Sequence, residues 1–273
     1  MAGLLGLTVG SFLNVVIHRL PRMLDQQWRT QCVELLEATL PVPTTIYNLA
    51  LPASHCPHCG HTLTALENIP LVSFLLQRGR CRACKADISR CYPMIEALAG
   101  IGAAIVVWHF GPTWQAVAAL CFTWTLIAAS GIDLEHQILP DVITLPLLWL
   151  GLFLSLGGMF IAPSTAIIGA MAGYLSLWGV YWAFRLLTGK EGMGYGDFKL
   201  LAALGAWIGW QTLPILILLS SLVGAVLGIS LVIIGGRDRR QPIPFGPFLA
   251  AAGWITLLWG EDLLHVYLRW SSL

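Results

Sequence analysis

The chain carries little charge. Asp, Glu, Lys and Arg together make up 11% of its 273 residues, whereas hydrophobic residues make up 57% and the mean hydropathy is +0.75. A soluble protein of this length does not need so apolar a composition, and apolar runs of about 20 residues are typical of transmembrane helices. The net charge is only +1, so the sequence lacks the basic field of a nucleic-acid-binding protein, and no nucleic-acid partner is expected.

Two other signals are absent. Residues 1–18 contain no basic residue before the apolar run, and no small-residue cleavage site follows cleanly, so we interpret them as a membrane span and not as a secretory signal peptide. The Gly-rich strand–helix motif that binds nucleotide-like cofactors is also missing, which leaves the residues of any such cofactor pocket unknown.

Hydropathy predicts an all-α polytopic membrane protein with about eight transmembrane helices. The candidate spans are residues 1–18, 94–110, 114–132, 142–159, 164–187, 198–211, 213–235 and 246–262.

The positions of the basic residues predict the orientation. With the polar segment 19–93 in the cytoplasm, the loops at 133–141, 185–199 and 236–245 also become cytoplasmic, and these four segments hold fourteen of the fifteen Lys and Arg residues. Because cytoplasmic loops are enriched in Lys and Arg, this orientation is favoured. It places both termini in the periplasm and divides the chain into a first helix (1–18), a cytoplasmic zinc-binding domain (19–93) and a seven-helix membrane domain (94–273).

The polar insert 19–93 contains two C-x-x-C knuckles separated by 21 residues, formed by Cys56, Cys59, Cys81 and Cys84. Four thiolates suit one structural Zn²⁺ in tetrahedral geometry, so the pattern predicts a small zinc ribbon. Disulfides are the alternative, but they are disfavoured in a reducing cytoplasm. Because four cysteines complete the zinc site, we interpret the nearby His55, His58 and His61 as solvated.

Two acids stand out at the ends of apolar stretches, Asp133 and Asp197. Acids at a membrane boundary are costly and mark functional candidates. The predicted topology places both at the cytoplasmic face. Two neighbouring carboxylates cannot both ionise readily, so such a pair shares a proton and can act as acid and base in peptide hydrolysis. We expect Gly194 and Gly196 to permit unusual backbone conformations and close approach of a substrate strand.

Other interpretations of these acids remain open. Asp197 opens a predicted helix and is a candidate N-cap, as is Asp141 after Pro140. Glu96 is the only acid on the second span, which makes it a candidate secondary site residue.

Several motifs resemble those of the type IV prepilin leader peptidase family, the bifunctional enzymes of type IV pilus and type II secretion systems. Besides the paired knuckles, they are GSFLNVVIHRLP at 10–21, ENIPLVS at 67–73, YPMIE at 92–96, the dipeptide ending at Asp133, LPD ending at Asp141, GYGDFK at 194–199 and PFGP at 244–247. A G-x-G-D motif alone is also found in presenilin-like proteases. The whole set, in this order, is specific to the family.

The resemblance implies a function and a set of site residues. The family removes the basic leader of prepilins and pseudopilins at the cytoplasmic face, then methylates the new N-terminal amine with S-adenosylmethionine. Its catalytic aspartates match Asp133 and Asp197, and Lys199 belongs to the matched motif. The implied location is the bacterial inner membrane, and the methylation is expected to draw on the insert. The oligomeric state is not indicated.

Two competing functions remain to be tested. A proton-coupled transporter would carry ionisable groups near the bilayer midplane, whereas those of this chain gather mainly at one face. A non-catalytic zinc-ribbon scaffold would use both aspartates only as helix caps.

Overall fold

The computed structural model describes residues 1–36, 47–233 and 243–271, which fold almost entirely as α-helix. The helices are α1 (Ala2–Leu35), the short α2 (Val72–Leu76), α3 (Cys91–Phe110), α4 (Trp114–His136), α5 (Asp141–Leu156), α6 (Pro163–Thr188), α7 (Tyr195–Ile208), α8 (Leu213–Ile233) and α9 (Gly246–Ser271). Apart from α2, each helix corresponds to one of the eight predicted spans. Part of the basic loop predicted at 236–245 lies outside the described residues.

Five of the described helices, α1, α3, α4, α6 and α8, are long and apolar enough to cross a membrane, and α5 is a shorter apolar helix. The protein is therefore a multi-pass helical membrane protein, as predicted. Helix α7 differs because its 14 residues extend about 21 Å, less than the ~30 Å hydrocarbon core. Most of its side chains are buried by α5, α6 and α9.

Helix α1 continues to Leu35, well beyond the predicted end of the first span at residue 18. Its second half includes Asp25, Gln26, Gln27 and Arg29, so hydropathy gave no indication of it. Gln and Arg are good helix formers, and Pro21 lies inside the helix without ending it.

Local sequence explains several helix ends. The Thr113 hydroxyl oxygen accepts a hydrogen bond from the Ala116 N–H at 3.2 Å and caps the start of α4. Helix α6 begins at Pro163, whose fixed φ suits the first helical position, and ends at Gly189 in the left-handed conformation.

The chain divides into two compact units, Met1–Pro112 and Thr113–Leu273. In the first unit, α1 packs closely along α3 through small residues. A Cβ at Gly10 would lie 2.7 Å from the Glu96 Cα, and one at Gly6 would lie 2.8 Å from the Ala103 Cβ. In lipid, no hydrophobic effect drives helices together. Small residues at the contact stabilise the packing there because they let the two backbones approach closely.

The second unit is built around α7. Phe198, Leu201, Leu204 and Trp207 are fully buried in its core, and the Trp207 indole N–H donates to the Leu147 carbonyl at 2.8 Å. This packing fixes the start of α7, which carries Asp197. The functional division predicted from topology (1–18, 19–93 and 94–273) stays a prediction.

Candidate active site and metal centre

Asp133 lies in the last turn of α4, and its side chain is buried, with 5% of the residue exposed. The Gly246 N–H, at the start of α9, donates to Asp133 Oδ2 at 3.0 Å. A Cβ at position 246 would approach that oxygen to 2.6 Å, so any other residue would displace the carboxyl group from this position. The bond fixes the orientation of the carboxyl group. Gly246 belongs to the PFGP motif, but the sequence did not identify it as a site residue.

Asp197 is the third residue of α7 and is 8% exposed. The N-cap of α7 is Gly194, so Asp197 is not the N-cap. Its carboxylate faces back towards the Gly194 N–H, an arrangement related to a capping box. The fully buried Phe198 follows it and anchors this turn in the core.

Leu139 brings the two aspartates into one region. A Cβ at Gly196, next to Asp197, would lie 2.7 Å from the Leu139 Cβ. A Cβ at Gly246, which binds Asp133, would lie 3.1 Å from Leu139 Cδ1. The Asp133 charge acts directly on the Asp197 carboxylate. The structure thus assembles a pair of buried carboxylates from residues 64 positions apart in the sequence.

Lys199 and Asp141 form an ion pair beside this region. Lys199 Nζ lies 2.7 and 2.8 Å from the two Asp141 carboxylate oxygens. Asp141 is the first residue of α5 and Lys199 lies in the first turns of α7, so the pair connects the starts of these helices. The N-cap of α5 is Pro140, so the capping role considered for Asp141 is not observed.

The two motif glycines differ from expectation. Neither Gly194 nor Gly196 has a positive φ, and Gly194 has φ −80° and ψ 149°, a conformation open to any residue. The expected unusual backbone conformation was therefore wrong. Gly196 is required by its contact with Leu139, whereas a Cβ at Gly194 would meet no atom within 4 Å.

In the first unit, the four predicted metal ligands converge. The sulfurs of Cys56, Cys59, Cys81 and Cys84 all lie within 4.8 Å of one another. The Cys56–Cys84 and Cys59–Cys81 sulfur distances are 3.8 and 4.0 Å. Tetrahedral Zn²⁺ with Zn–S bonds of about 2.3 Å requires sulfurs about 3.8 Å apart. The cluster can hold a metal ion of that size.

The two knuckles repeat the same hydrogen bonds. The Cys56 N–H donates to the His61 carbonyl and the Gly60 N–H to the Cys56 carbonyl; Cys81, Ala86 and Lys85 form the matching bonds. Gly60 and Lys85 both have positive φ, 71° and 61°. A tight turn therefore follows each knuckle.

Backbone groups favour the thiolate form of two of the four cysteines, one in each knuckle. The N–H groups of His58 and Cys59 point at the Cys56 sulfur and lower the pKa of its thiol to about 7. The N–H groups of Cys84 and Ala83 likewise lower the pKa of the Cys81 thiol. Because the thiolate is the form that binds metal, this backbone arrangement favours binding.

Glu67, the first residue of the ENIPLVS motif, is buried, since only 8% of the residue is exposed. Its carboxylate accepts hydrogen bonds from the Thr64 N–H and hydroxyl, both at 2.9 Å, and lies 3.3 Å from His61 Nε2. The Thr64 N–H, followed by the Thr64 hydroxyl and His61, holds the pKa of Glu67 below its usual range. His61 is consequently paired and not simply solvated.

Glu96 also lies in the first unit, on α3, where it is partly buried. Its Oε2 accepts the Leu71 N–H at 2.8 Å, so it contacts the polar insert.

Comparison with protein families explains this combination of helices and sites. Residues 4–110 match the bacterial peptidase A24 N-terminal domain, and residues 120–229 match the type IV leader peptidase family. The protein is thus a membrane-embedded peptidase by class. No solved structure matches the chain.

Curated relatives define the family more closely. The prepilin leader peptidase/N-methyltransferase of Stutzerimonas stutzeri is 56% identical over 98% of this chain and 93% of its own length. Relatives with the same name in Pseudomonas aeruginosa and Aeromonas salmonicida are each 55% identical, over 98% and 97% of this chain and 93% and 92% of their own lengths. The chain belongs to the prepilin leader peptidase/N-methyltransferase family. The predicted family and enzyme class are confirmed.

Proposed function

We propose that this protein removes the leader peptide of prepilins and pseudopilins with Asp133 and Asp197, then methylates the new N-terminal amine with S-adenosylmethionine. The observation that supports this proposal most is the pair of buried carboxylates, whose neighbours Gly196 and Gly246 both contact Leu139. Within the described part of the chain, neither carboxylate has a Lys, Arg or His partner within ion-pair distance.

The pair supplies both functions that amide hydrolysis needs. With one shared proton, the ionised carboxylate accepts a proton from water while the protonated one donates to the carbonyl oxygen. The resulting tetrahedral intermediate breaks its C–N bond, and the departing nitrogen takes up a proton. No metal takes part in this scheme.

Nearby residues position the pair. Lys199 and Asp141 keep the start of α7 beside the start of α5. Gly196 allows Leu139 to lie against it. The space around Gly194 gives an extended substrate strand access to the backbone just before Asp197.

The four cysteines would hold one structural Zn²⁺, which matches their thiolate chemistry and sulfur spacing. It would stabilise a polar segment that has little apolar surface to bury. We further propose that the enzyme lies in the bacterial inner membrane, with the metal cluster and both aspartates at the cytoplasmic face and both termini in the periplasm. The asymmetry of Lys and Arg supports this orientation.

The test uses full-length protein in detergent with a synthetic prepilin peptide. Asp133→Asn and Asp197→Asn preserve shape but remove the acid, so each is expected to abolish leader removal. Asp262→Asn, the same substitution at an exposed acid in α9, is the matched control and should cleave normally. Undiminished cleavage in either of the first two variants would refute the carboxylate pair. Both a transporter and a zinc scaffold predict no cleavage by the unmodified protein.

A further inference from the structure

The proposed function leaves the residues of methyl transfer unassigned, and Glu96 is a partly buried acid to which the proposed hydrolysis gives no role. It lies on α3, a helix apolar enough to cross a membrane. Other acids have a basic partner, as Asp141 has Lys199 and Glu67 has His61. In the part of the chain that the structure describes, no such partner lies within 4.0 Å of Glu96. A partly buried carboxylate in this setting favours a cationic ligand.

The surroundings of Glu96 are held in an unusual conformation. Leu71, whose N–H donates to Glu96 Oε2, has φ 58° and ψ −44°, and the Val72 N–H donates to the Pro70 carbonyl at 2.6 Å. This is a γ-turn of the strained, positive-φ type, which is rare for any residue except glycine. Backbone strain of this kind persists where surrounding structure enforces it, and it is frequent at functional sites.

One side chain, Ser11, adds a hydroxyl group to the surroundings of the carboxylate. The Ser11 hydroxyl from α1 lies 3.5 Å from Asn68 Oδ1 and faces the Glu96 carboxylate. One turn further along α1, the Asn14 amide donates to the Tyr92 carbonyl at 3.1 Å and ties α1 to α3. The close approach of Gly10 to the Glu96 backbone brings these groups together.

Apolar side chains flank the strained turn in the sequence. Leu66, Ile69, Val72 and Leu75 are all exposed, although they belong to the otherwise polar insert. Exposed apolar residues on both sides of the turn that binds the carboxylate match a ligand that carries a positive charge next to an apolar side chain. The N-terminal amine at the start of an apolar helix has this chemistry.

We propose that Glu96, oriented by the Leu71 N–H and by Ser11, binds the N-terminal α-amine of the cleaved substrate and accepts its proton during methyl transfer. The amine nitrogen forms a bond to the methyl carbon, and the bond from that carbon to the sulfonium sulfur of the methyl donor breaks. The donor becomes a neutral thioether, and the proton lost by the amine passes to Glu96 and then to water. This assignment rests on the proposed second activity.

The test separates this role from a purely structural one. In Glu96→Gln, the amide oxygen still accepts the Leu71 N–H, but the negative charge is lost. The substrate is a synthetic peptide that already begins at the cleaved N-terminus, so methylation does not depend on leader removal. Glu34→Gln, at an exposed acid of the same unit, is the matched control. Zinc content and thermal unfolding verify that each variant is folded.

We expect Glu96→Gln to methylate the peptide at least about 100-fold more slowly, the usual effect of removing a general base. Leader removal from an uncleaved peptide should not change. The residual methylation should rise steeply with pH until the free amine deprotonates, near its pKa of about 8. The unmodified protein should also bind the free-amine peptide more tightly than its N-acetylated form, and Glu96→Gln should lose this preference.

Three results would contradict the assignment. Methylation by Glu96→Gln at the rate of the control overturns it, and so does an equal loss of methylation and leader removal, which indicates a structural defect. If the unmodified protein cleaves but methylates no peptide, the proposed second activity itself fails, which is distinguishable from a defect confined to the variant.

Discussion

The two units hold their polar groups in different ways. Apolar packing is the main constraint on the positions of Asp133 and Asp197, because α7 is buried on nearly all sides and few hydrogen bonds reach the carboxylates. In the other unit, hydrogen bonds hold Glu67 and Glu96, and the four cysteine sulfurs converge in one cluster. A site fixed by a core tolerates loss of a distant ligand, whereas a site fixed by a metal does not. The two activities should therefore respond separately to perturbation.

The largest separation is expected from the aspartates. Asp133→Asn or Asp197→Asn should slow leader removal by on the order of 1,000-fold or more, and the double variant should be no worse than either single one because the residues act as a unit. Methylation of a pre-cleaved peptide should continue. Parallel assays of peptide cleavage and methyl incorporation test this. Additive losses in the double variant would show that the two carboxylates act independently.

Metal removal should produce the opposite pattern. The untreated protein should contain one zinc ion per chain, and a strong chelator should open the insert and make it sensitive to protease. Leader removal should persist, because α4 to α9 keep their core. Metal analysis and limited proteolysis measure the first effect. Cys32→Ser, at an exposed cysteine outside the cluster, should retain the metal, in contrast to Cys81→Ser. Loss of cleavage and of protease resistance at the same chelator concentration would contradict independent units.

The effect of replacing a helical glycine on stability should depend on how closely its helix packs against a neighbouring helix. A Cβ at Gly205 in α7 would collide with the Gly169 carbonyl oxygen of α6, so Gly205→Ala should lower the free energy of unfolding by about 1–3 kcal/mol. Gly179→Ala in α6 is the control, because a Cβ there meets no atom within 4 Å. It should stabilise the helix by up to about 1 kcal/mol. Unfolding in detergent compares them, and equal effects would exclude tight packing at Gly205.

The smallest effect is expected at the Lys199–Asp141 pair. The side chains are 32% and 53% exposed, so solvent weakens their attraction. A double-mutant cycle with Lys199→Met and Asp141→Asn should give a coupling energy of about 0.5–1 kcal/mol. The same variants should slow leader removal far less than Asp197→Asn does. A loss of cleavage as large as that of Asp197→Asn would move Lys199 from positioning to chemistry.

The parts that the sequence predicts well depend on local properties. Insertion into lipid requires a run of apolar residues, so hydropathy located a helix for each predicted span. Metal binding requires thiolates at short spacing, so the cysteine pattern located the cluster. Both signals can be read from a few neighbouring residues.

The parts that it misses depend on distant contacts. The burial of Glu67 follows from a turn that points Thr64 at it, and the need for glycine at 196 follows from Leu139 on another segment. Helix α1 continues past residue 21 without a hydropathy signal, because its outer half is polar. The hydrogen bond from Gly246 to Asp133 joins residues 113 positions apart, which no local pattern encodes.

The two knuckles repeat the same hydrogen bonds, but the residue in the left-handed position differs between them. Gly60 adopts its left-handed conformation at no cost, whereas Lys85 does so against a penalty of about 1 kcal/mol or more for a residue with a Cβ. The two turns therefore share a hydrogen-bond pattern but differ in conformational energy. The second knuckle should be the first to release its sulfurs when the metal is withdrawn, giving the site a preferred order of opening.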